Sequence, residues 1–106
     1  MFRVFTTKEF DDNFRKLDES SKKAVRKIMG QLREQGGDIG KPLQVPYFRE
    51  KRVEDKRVYF LIYKNYKIVL AIAIGDKKTQ QKTINKILSE INNYKEEIVK
   101  RLKETL

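Results

Sequence analysis

Basic side chains are concentrated in the middle of the chain, where residues 41–86 contain twelve Lys and Arg against four Asp and Glu. This segment carries a net charge of +8, out of +10 for all 106 residues, whereas residues 1–40 carry +2 and residues 87–106 are neutral. Cationic groups at this density bind polyanions with an affinity that falls steeply with salt. A lysine-rich surface that only keeps the protein soluble is the alternative, but the local concentration favours a polyanionic partner.

The residue types that are missing limit the chemistry further. The chain contains no cysteine and no histidine. This excludes disulfides, thiolate zinc sites and cysteine nucleophiles, and it removes the commonest metal ligand and general base. Any catalysis must therefore use Lys, Arg, Tyr, Asp, Glu, Ser or Thr, and we expect neither a metal nor a cofactor.

Hydrophobic periodicity predicts one α+β domain over residues 1–106 with the order β-α-α-β-β-β-α. A strand at 2–6 precedes a helical hairpin that ends near Gln35, and a loop follows to Pro46. Strands are predicted at 47–53, 57–64 and 67–74, and then one long helix from about Thr79 to Glu104. The predicted fold is thus a small, twisted, mainly antiparallel sheet with an N-terminal helical hairpin, and residues 90–106 extend the last helix.

Strand alternation divides the basic residues between two sheet faces. Arg49, Lys51 and Val53 share one face of their strand, and the intervening Phe48, Glu50 and Arg52 share the other. Tyr59 and Tyr63 lie on the same face of the next strand as Arg57, where they could stack on bases or pack in the core. The strand cations could also be ordinary surface residues paired with Glu50, Glu54 or Asp55.

The chain offers no sign of a membrane segment. No apolar run reaches the roughly 18 residues of a membrane span, and the start, MFRVFTTKEF, lacks the apolar stretch of a signal peptide. We therefore expect a cytoplasmic protein that does not contact a membrane.

Three short motifs occur in order along the basic segment and its flanks. REKRVEDKRVYFLIY spans residues 49–63, GKPLQ lies upstream at 40–44, and IGDKKTQQKTINKIL follows at 74–88. Their order and spacing resemble the RelE/ParE toxin superfamily, and the last motif is similar to its HigB, phage Gp49-like branch. Together with the two leading helices, the resemblance covers most of residues 2–90 and implies a RelE-like fold.

The resemblance also implies a function. Such proteins are toxins of type II toxin-antitoxin pairs, typically ribosome-dependent endoribonucleases that cut messenger RNA without a metal. The 2′-hydroxyl attacks the adjacent phosphate, so the protein must remove a proton, stabilise charge on the phosphate and protonate the leaving 5′ oxygen. A cognate antitoxin is implied as well, with an acidic or amphipathic segment that covers the basic face or adds a strand.

Site residues follow from the same resemblance. Arg57 matches an arginine that would contact the scissile phosphate. Arg49 and Lys51 match basic positions of the preceding strand, where either could stabilise the transition state and a lysine could accept the proton. Lys77 matches a basic position after the last strand, although it lacks the bidentate geometry of arginine. Further RNA contacts are expected from Lys78, Lys82, Arg52 and Lys41.

Other functions remain open at this point. Residues Thr79 to Ile84 contain no Tyr or His, where many ribonucleolytic members carry a base, and Tyr94 lies about three helical turns further on. The alternatives are a catalytically degenerate RelE-fold protein that binds nucleic acid, or a ParE-like inhibitor of DNA gyrase. Asp76 is either a base or a turn residue. The long last helix could support dimerisation, and the oligomeric state is left open.

Overall fold

The computed structural model describes residues 1–104 as an α+β fold. Its elements, in chain order, are β1 (Arg3–Thr6), α1 (Lys8–Arg15), α2 (Glu19–Gln35), β2 (Lys41–Leu43), β3 (Val45–Val53), β4 (Lys56–Tyr63), β5 (Ile68–Asp76), α3 (Gln80–Ser89) and α4 (Ile91–Glu104). The five strands form one mixed sheet in the order β1-β5-β4-β3-β2. Only β1 runs parallel to its neighbour; the other pairs are antiparallel. The predicted α+β class and antiparallel meander are therefore confirmed.

Helices cover both faces of the sheet, and each face has its own core. The helical-hairpin face packs against α1 and α2, with Phe60 of β4 meeting Val25 and Leu32 of α2. The C-terminal-helix face packs against α3 and α4, with Leu61 of β4 among side chains that include Ile98. Because β4 and β5 are covered on both sides, nearly every residue of these strands is buried.

The segment predicted as a loop contains an additional strand. Residues Lys41–Leu43 pair with β3 as the edge strand of the sheet, which is a position where proline is tolerated. The turn before it depends on Gly40, which has a φ of +83°. A Cβ at Gly40 would lie 2.8 Å from the backbone oxygen of Glu50, so only glycine fits this close approach of the chain to β3.

The start of the first helix is set by a local contact, and the predicted last helix is divided in two. The N-cap of α1 is Thr7, whose side chain accepts a hydrogen bond from the backbone N–H of Phe10. The long final helix is divided at Glu90. One straight helix from 79 to 104 would extend about 39 Å, longer than the 37 Å maximum extent of the molecule. The break lets α4 return across the sheet, and Ile98 becomes fully buried.

Candidate active site at one end of the sheet

A buried pair of opposite charges lies at the start of β4. The Nε of Arg57 is 3.9 Å from Oε2 of Glu50 on β3, and the two side chains are 11% and 10% exposed. Both are on the C-terminal-helix face. Charged side chains are rarely buried unless they are paired. The pair is therefore the starting point for a candidate site.

Strand pairing places residues of the neighbouring strands around this pair. Arg57 stands between Arg52 of β3 and Gly75 of β5. Glu50 stands between Lys41 of β2 and Tyr59 of β4. Directly paired residues project to the same side of a sheet, so these two rows present their side chains to one face. The site thus joins residues from all four antiparallel strands.

The first turn of α3 covers the carboxylate. The Nε2 of Gln80 donates to both oxygens of Glu50, at 2.9 and 3.2 Å. Beneath this turn is Gly75, where a Cβ would lie 3.0 Å from Oγ1 of Thr79 and 3.8 Å from the ring of Tyr59. The close packing of β5 against α3 holds the Gln80 carboxamide in register with Glu50.

The turn that leads from β5 into α3 carries two exposed lysines, Lys77 and Lys78. Its shape is fixed by Asp76, whose Oδ1 accepts from the backbone N–H of Thr79 at 3.0 Å and from the Thr79 hydroxyl at 3.1 Å. These hydrogen bonds, the backbone one first, hold the pKa of Asp76 below its ordinary value. The carboxyl of Asp76 is thus engaged in the turn, and the lysines lie two and three residues beyond Gly75.

The hydroxyl of Tyr59 lies inside the site without a hydrogen-bond partner among residues 1–104. Its side chain is fully buried. Burial raises the pKa of Tyr59 well above its ordinary value, and the neighbouring Glu50 charge raises it further. The phenol therefore stays protonated at neutral pH, beside a carboxylate and a guanidinium.

Alkaline pH is expected to destabilise the protein through its buried phenols. Burial is the main cause that raises the pKa values of Tyr59, Tyr63 and Tyr94. Above pH of about 10 the unfolded chain loses phenolic protons that the folded chain keeps, so the unfolded state gains stability. We expect the free energy of unfolding, measured by urea denaturation, to fall between pH 9 and 11 by about 1 kcal/mol for each fully buried phenol.

Phenylalanine variants provide the control for this pH dependence. Tyr59→Phe removes one buried ionisable hydroxyl and should make the fall in stability shallower. A wild-type unfolding free energy that stays constant from pH 9 to 11 would contradict the expectation.

The structure brings some of the sequence-predicted site residues together and separates others. Arg57, Arg52 and Lys41 share the C-terminal-helix face, and Lys77 and Lys78 lie in the adjacent turn. Lys82 is exposed on α3, about 200° around the helix from Gln80, and so faces away from the Glu50 carboxylate.

Arg49 and Lys51 are on the opposite side of the sheet from Arg57. They pair with Phe60 and Val58, whose side chains belong to the helical-hairpin core. The Arg49 guanidinium donates from Nε to the carbonyl of Ile39 at 3.0 Å and from Nη2 to that of Gly40 at 3.2 Å. The four residues predicted to be catalytic therefore do not converge, because odd and even positions of β3 face opposite ways.

Glu50 is the site residue that sequence analysis did not nominate. It was considered only as a partner for strand cations. The available signal was alternation, which places Glu50 on the same face as the apolar Phe48. A carboxylate on an apolar strand face needs a buried partner, and that partner is Arg57.

Tyr94 lies away from the Glu50–Arg57 pair. Its hydroxyl donates to Oε2 of Glu90 at 3.0 Å, and its surroundings include Tyr63, at the far end of β4 from Arg57. No group of three or more acidic side chains in the described part of the chain could hold a metal ion. No helix between residues 1 and 104 is long and apolar enough to cross a membrane.

Comparison with solved structures identifies the fold. The isolated RelE toxin of E. coli is similar with a TM-score of 0.65 at 14% sequence identity, over 82% of this chain and 99% of that one. The toxin-antitoxin complex RelBE2 of Mycobacterium tuberculosis contains a chain with a TM-score of 0.63 at 20% identity, over 72% and 98%. A RelB-RelE antitoxin-toxin complex from Methanococcus jannaschii gives 0.61 at 13%, over 76% and 98%. The sequence matches no family model and no curated protein.

Fold and site together define a small α+β protein that holds a carboxylate-guanidinium pair at the end of its antiparallel strands. This architecture is the RelE-like fold, as the three motifs predicted.

Proposed function

We propose that this protein is the toxin of a type II toxin-antitoxin pair and that it cleaves messenger RNA on the ribosome without a metal ion. The observation that carries the proposal is the buried Glu50–Arg57 pair on the C-terminal-helix face, at the end where exposed cations surround it. A carboxylate, a guanidinium and an ammonium group supply the three functions that transesterification of RNA requires.

In this proposal each group has one role. The Glu50 carboxylate takes the proton from the 2′-hydroxyl, whose oxygen then attacks the adjacent phosphorus. Arg57, aided by Arg52 across the strand pair, stabilises the charge that develops on the phosphate oxygens. Lys77 gives a proton to the departing 5′ oxygen, and the products are a 2′,3′-cyclic phosphate and a 5′-hydroxyl. The proposal assigns no catalytic role to Arg49 or Lys51, because both lie on the other face.

The remaining predicted contacts fit a strand of RNA that crosses this end of the sheet. Lys78 and Lys41 are exposed beside the pair and would bind backbone phosphates, while Lys82 would bind only a strand that extends over α3. A substrate must also displace the Gln80 carboxamide from Glu50. We further propose that the protein acts in the cytoplasm, where ribosomes translate messages.

A cognate antitoxin completes the proposal. The complexes from Mycobacterium tuberculosis and Methanococcus jannaschii pair similar chains with an antitoxin. For this chain, the net charge of +10 favours an acidic partner segment that covers the cations around Arg57.

Induced expression tests the function directly. We expect growth arrest, loss of protein synthesis and new 5′ ends within translated messages, while messages that are not translated stay intact. In a reconstituted translation reaction, cleavage should persist when free Mg²⁺ is lowered to the minimum that ribosomes tolerate. Unchanged transcript ends would reject the nuclease function. A supercoiling assay with DNA gyrase would then distinguish a ParE-like inhibitor from a protein that only binds RNA.

A further inference from the structure

A cavity lies at the other end of the sheet from Arg57. Its volume is about 440 Å³, and it is bounded by the start of β3, the end of β4, the following 3-10 turn (Lys64–Tyr66) and α4. Three aromatic and three cationic side chains line it: Tyr47, Tyr63, Tyr66, Arg49, Lys64 and Lys95. Tyr63 lies six positions beyond Arg57 in β4, which is about 20 Å along an extended strand. The cavity is therefore distinct from the candidate active site.

Two of the three aromatic rings of the cavity are exposed. Tyr47 and Tyr66 are 39% and 41% exposed, and Met1 is the only other large hydrophobic residue that is exposed within residues 1–104. Both tyrosines line this one cavity, and the ring of Tyr47 is tilted 37° to that of the buried Tyr63 at 6.4 Å between centroids. The hydroxyl of Tyr63 has no hydrogen-bond partner in the described part of the chain. Buried polar groups without partners are rare, so this hydroxyl is available to a bound molecule or water.

The cations of the cavity form no ion pair with the described residues 1–104. Within residues 1–104, no carboxylate lies within 4.0 Å of the charged nitrogens of Arg49, Lys64 or Lys95. Arg49 is also held in position, because two of its nitrogens donate to the carbonyls of Ile39 and Gly40. This gives a fixed guanidinium beside exposed aromatic rings.

We propose that this cavity binds an unpaired nucleotide of an RNA strand. Its base would stack on Tyr47 or Tyr66, and its phosphates would contact Arg49, Lys64 and Lys95. Aromatic rings combined with cations are the chemistry that recognises single-stranded nucleic acid, since rings bind bases and cations bind the backbone. The proposal depends on the cavity alone and holds whether or not the protein cleaves RNA.

Binding to strands that cannot be cleaved tests this site separately from catalysis. Fluorescence anisotropy would compare a 2′-O-methyl uridine hexamer, which lacks the attacking hydroxyl, with an abasic hexamer of the same charge. We expect the uridine hexamer to bind about tenfold more tightly. Tyr47→Leu combined with Tyr66→Leu should abolish that difference. Lys64→Ala should weaken the binding of both strands, whereas Lys8→Ala, an exposed lysine of α1, should change neither.

The nucleotide could belong to the strand that reaches the candidate active site or to a separate strand. If one strand spans both sites, an octamer should bind more tightly than a trimer, and Lys77→Ala should remove that advantage. If the strands are separate, trimer and octamer should bind alike.

Equal affinity for the uridine and abasic hexamers would overturn the proposal, as would a tyrosine double variant that binds the uridine hexamer like the wild type. A base-dependent affinity in a protein that leaves transcripts uncut would support the cavity and reject only the nuclease function.

Discussion

Replacing Arg57 by glutamine is expected to reduce the rate of messenger RNA cleavage by about 100-fold or more. Loss of one preorganised group that stabilises a developing oxyanion costs about 10²–10³ in rate. Arg57 is the guanidinium closest to the proposed base, with its Nε 3.9 Å from Glu50. Glutamine retains an N–H donor for Glu50 but carries no charge. The measurement is cleavage of a message on purified ribosomes, with single-turnover rates for both proteins.

Three further variants show whether this loss of rate reflects the catalytic step or loss of folding. Arg57→Lys keeps the charge without the planar fork and should retain partial activity. Glu50→Gln removes the proposed base and should lose a similar factor, while Lys78→Ala, in the exposed turn, should lose less than tenfold. Thermal unfolding must accompany each variant, because breaking a buried ion pair is itself destabilising. A folded Arg57→Gln protein that cleaves at the wild-type rate would rule out the proposed site.

Replacing Ile98 by alanine is expected to lower the free energy of unfolding by about 3 kcal/mol, within the usual range of about 2–5 kcal/mol for Ile→Ala in a core. Ile98 lies in α4 and is fully buried in the core of the C-terminal-helix face, with Ile84 and Ile87 of α3. Its removal leaves a cavity between α4 and the sheet. Urea denaturation with linear extrapolation measures the loss.

The neighbouring Val99 is the matched control. Val99 is also β-branched and lies in α4, but it is only partly buried and is absent from the buried core. We therefore expect Val99→Ala to cost less than about 1 kcal/mol, as partly exposed substitutions usually do. Equal effects of the two substitutions would show that α4 does not pack as described.

Most of the fold could be predicted from the sequence. The change of hydrophobic period from helical to alternating near Tyr47 located the strands. The small strand Lys41–Leu43 was not predicted, because three residues with a proline have no periodicity of their own. Its pairing depends on contact with β3, to which Gly40 allows close approach.

The candidate site could be predicted from the sequence only in part. The family resemblance nominated Arg57 and Lys77, and alternation assigned Glu50 and Arg52 to one side of β3 and Arg49 to the other. However, alternation within one strand does not give its register against the next. That register places Arg57 beside Glu50 on one face of the sheet. It places Arg49 on the opposite face, where Arg49 lines the cavity with Tyr47 and Tyr66.

The sequence by itself determined the α+β class, because hydrophobic periodicity depends only on near neighbours along the chain. Its composition determined the positive charge of residues 41–86 and excluded histidine and cysteine chemistry. Only the tertiary structure decided which polar and aromatic side chains come together. Strand pairing and the return of α4 bring together residues far apart in sequence, such as Glu50 with Gln80 and Tyr47 with Lys95. Such long-range contacts depend on how all the elements pack at once, so no single segment encodes them.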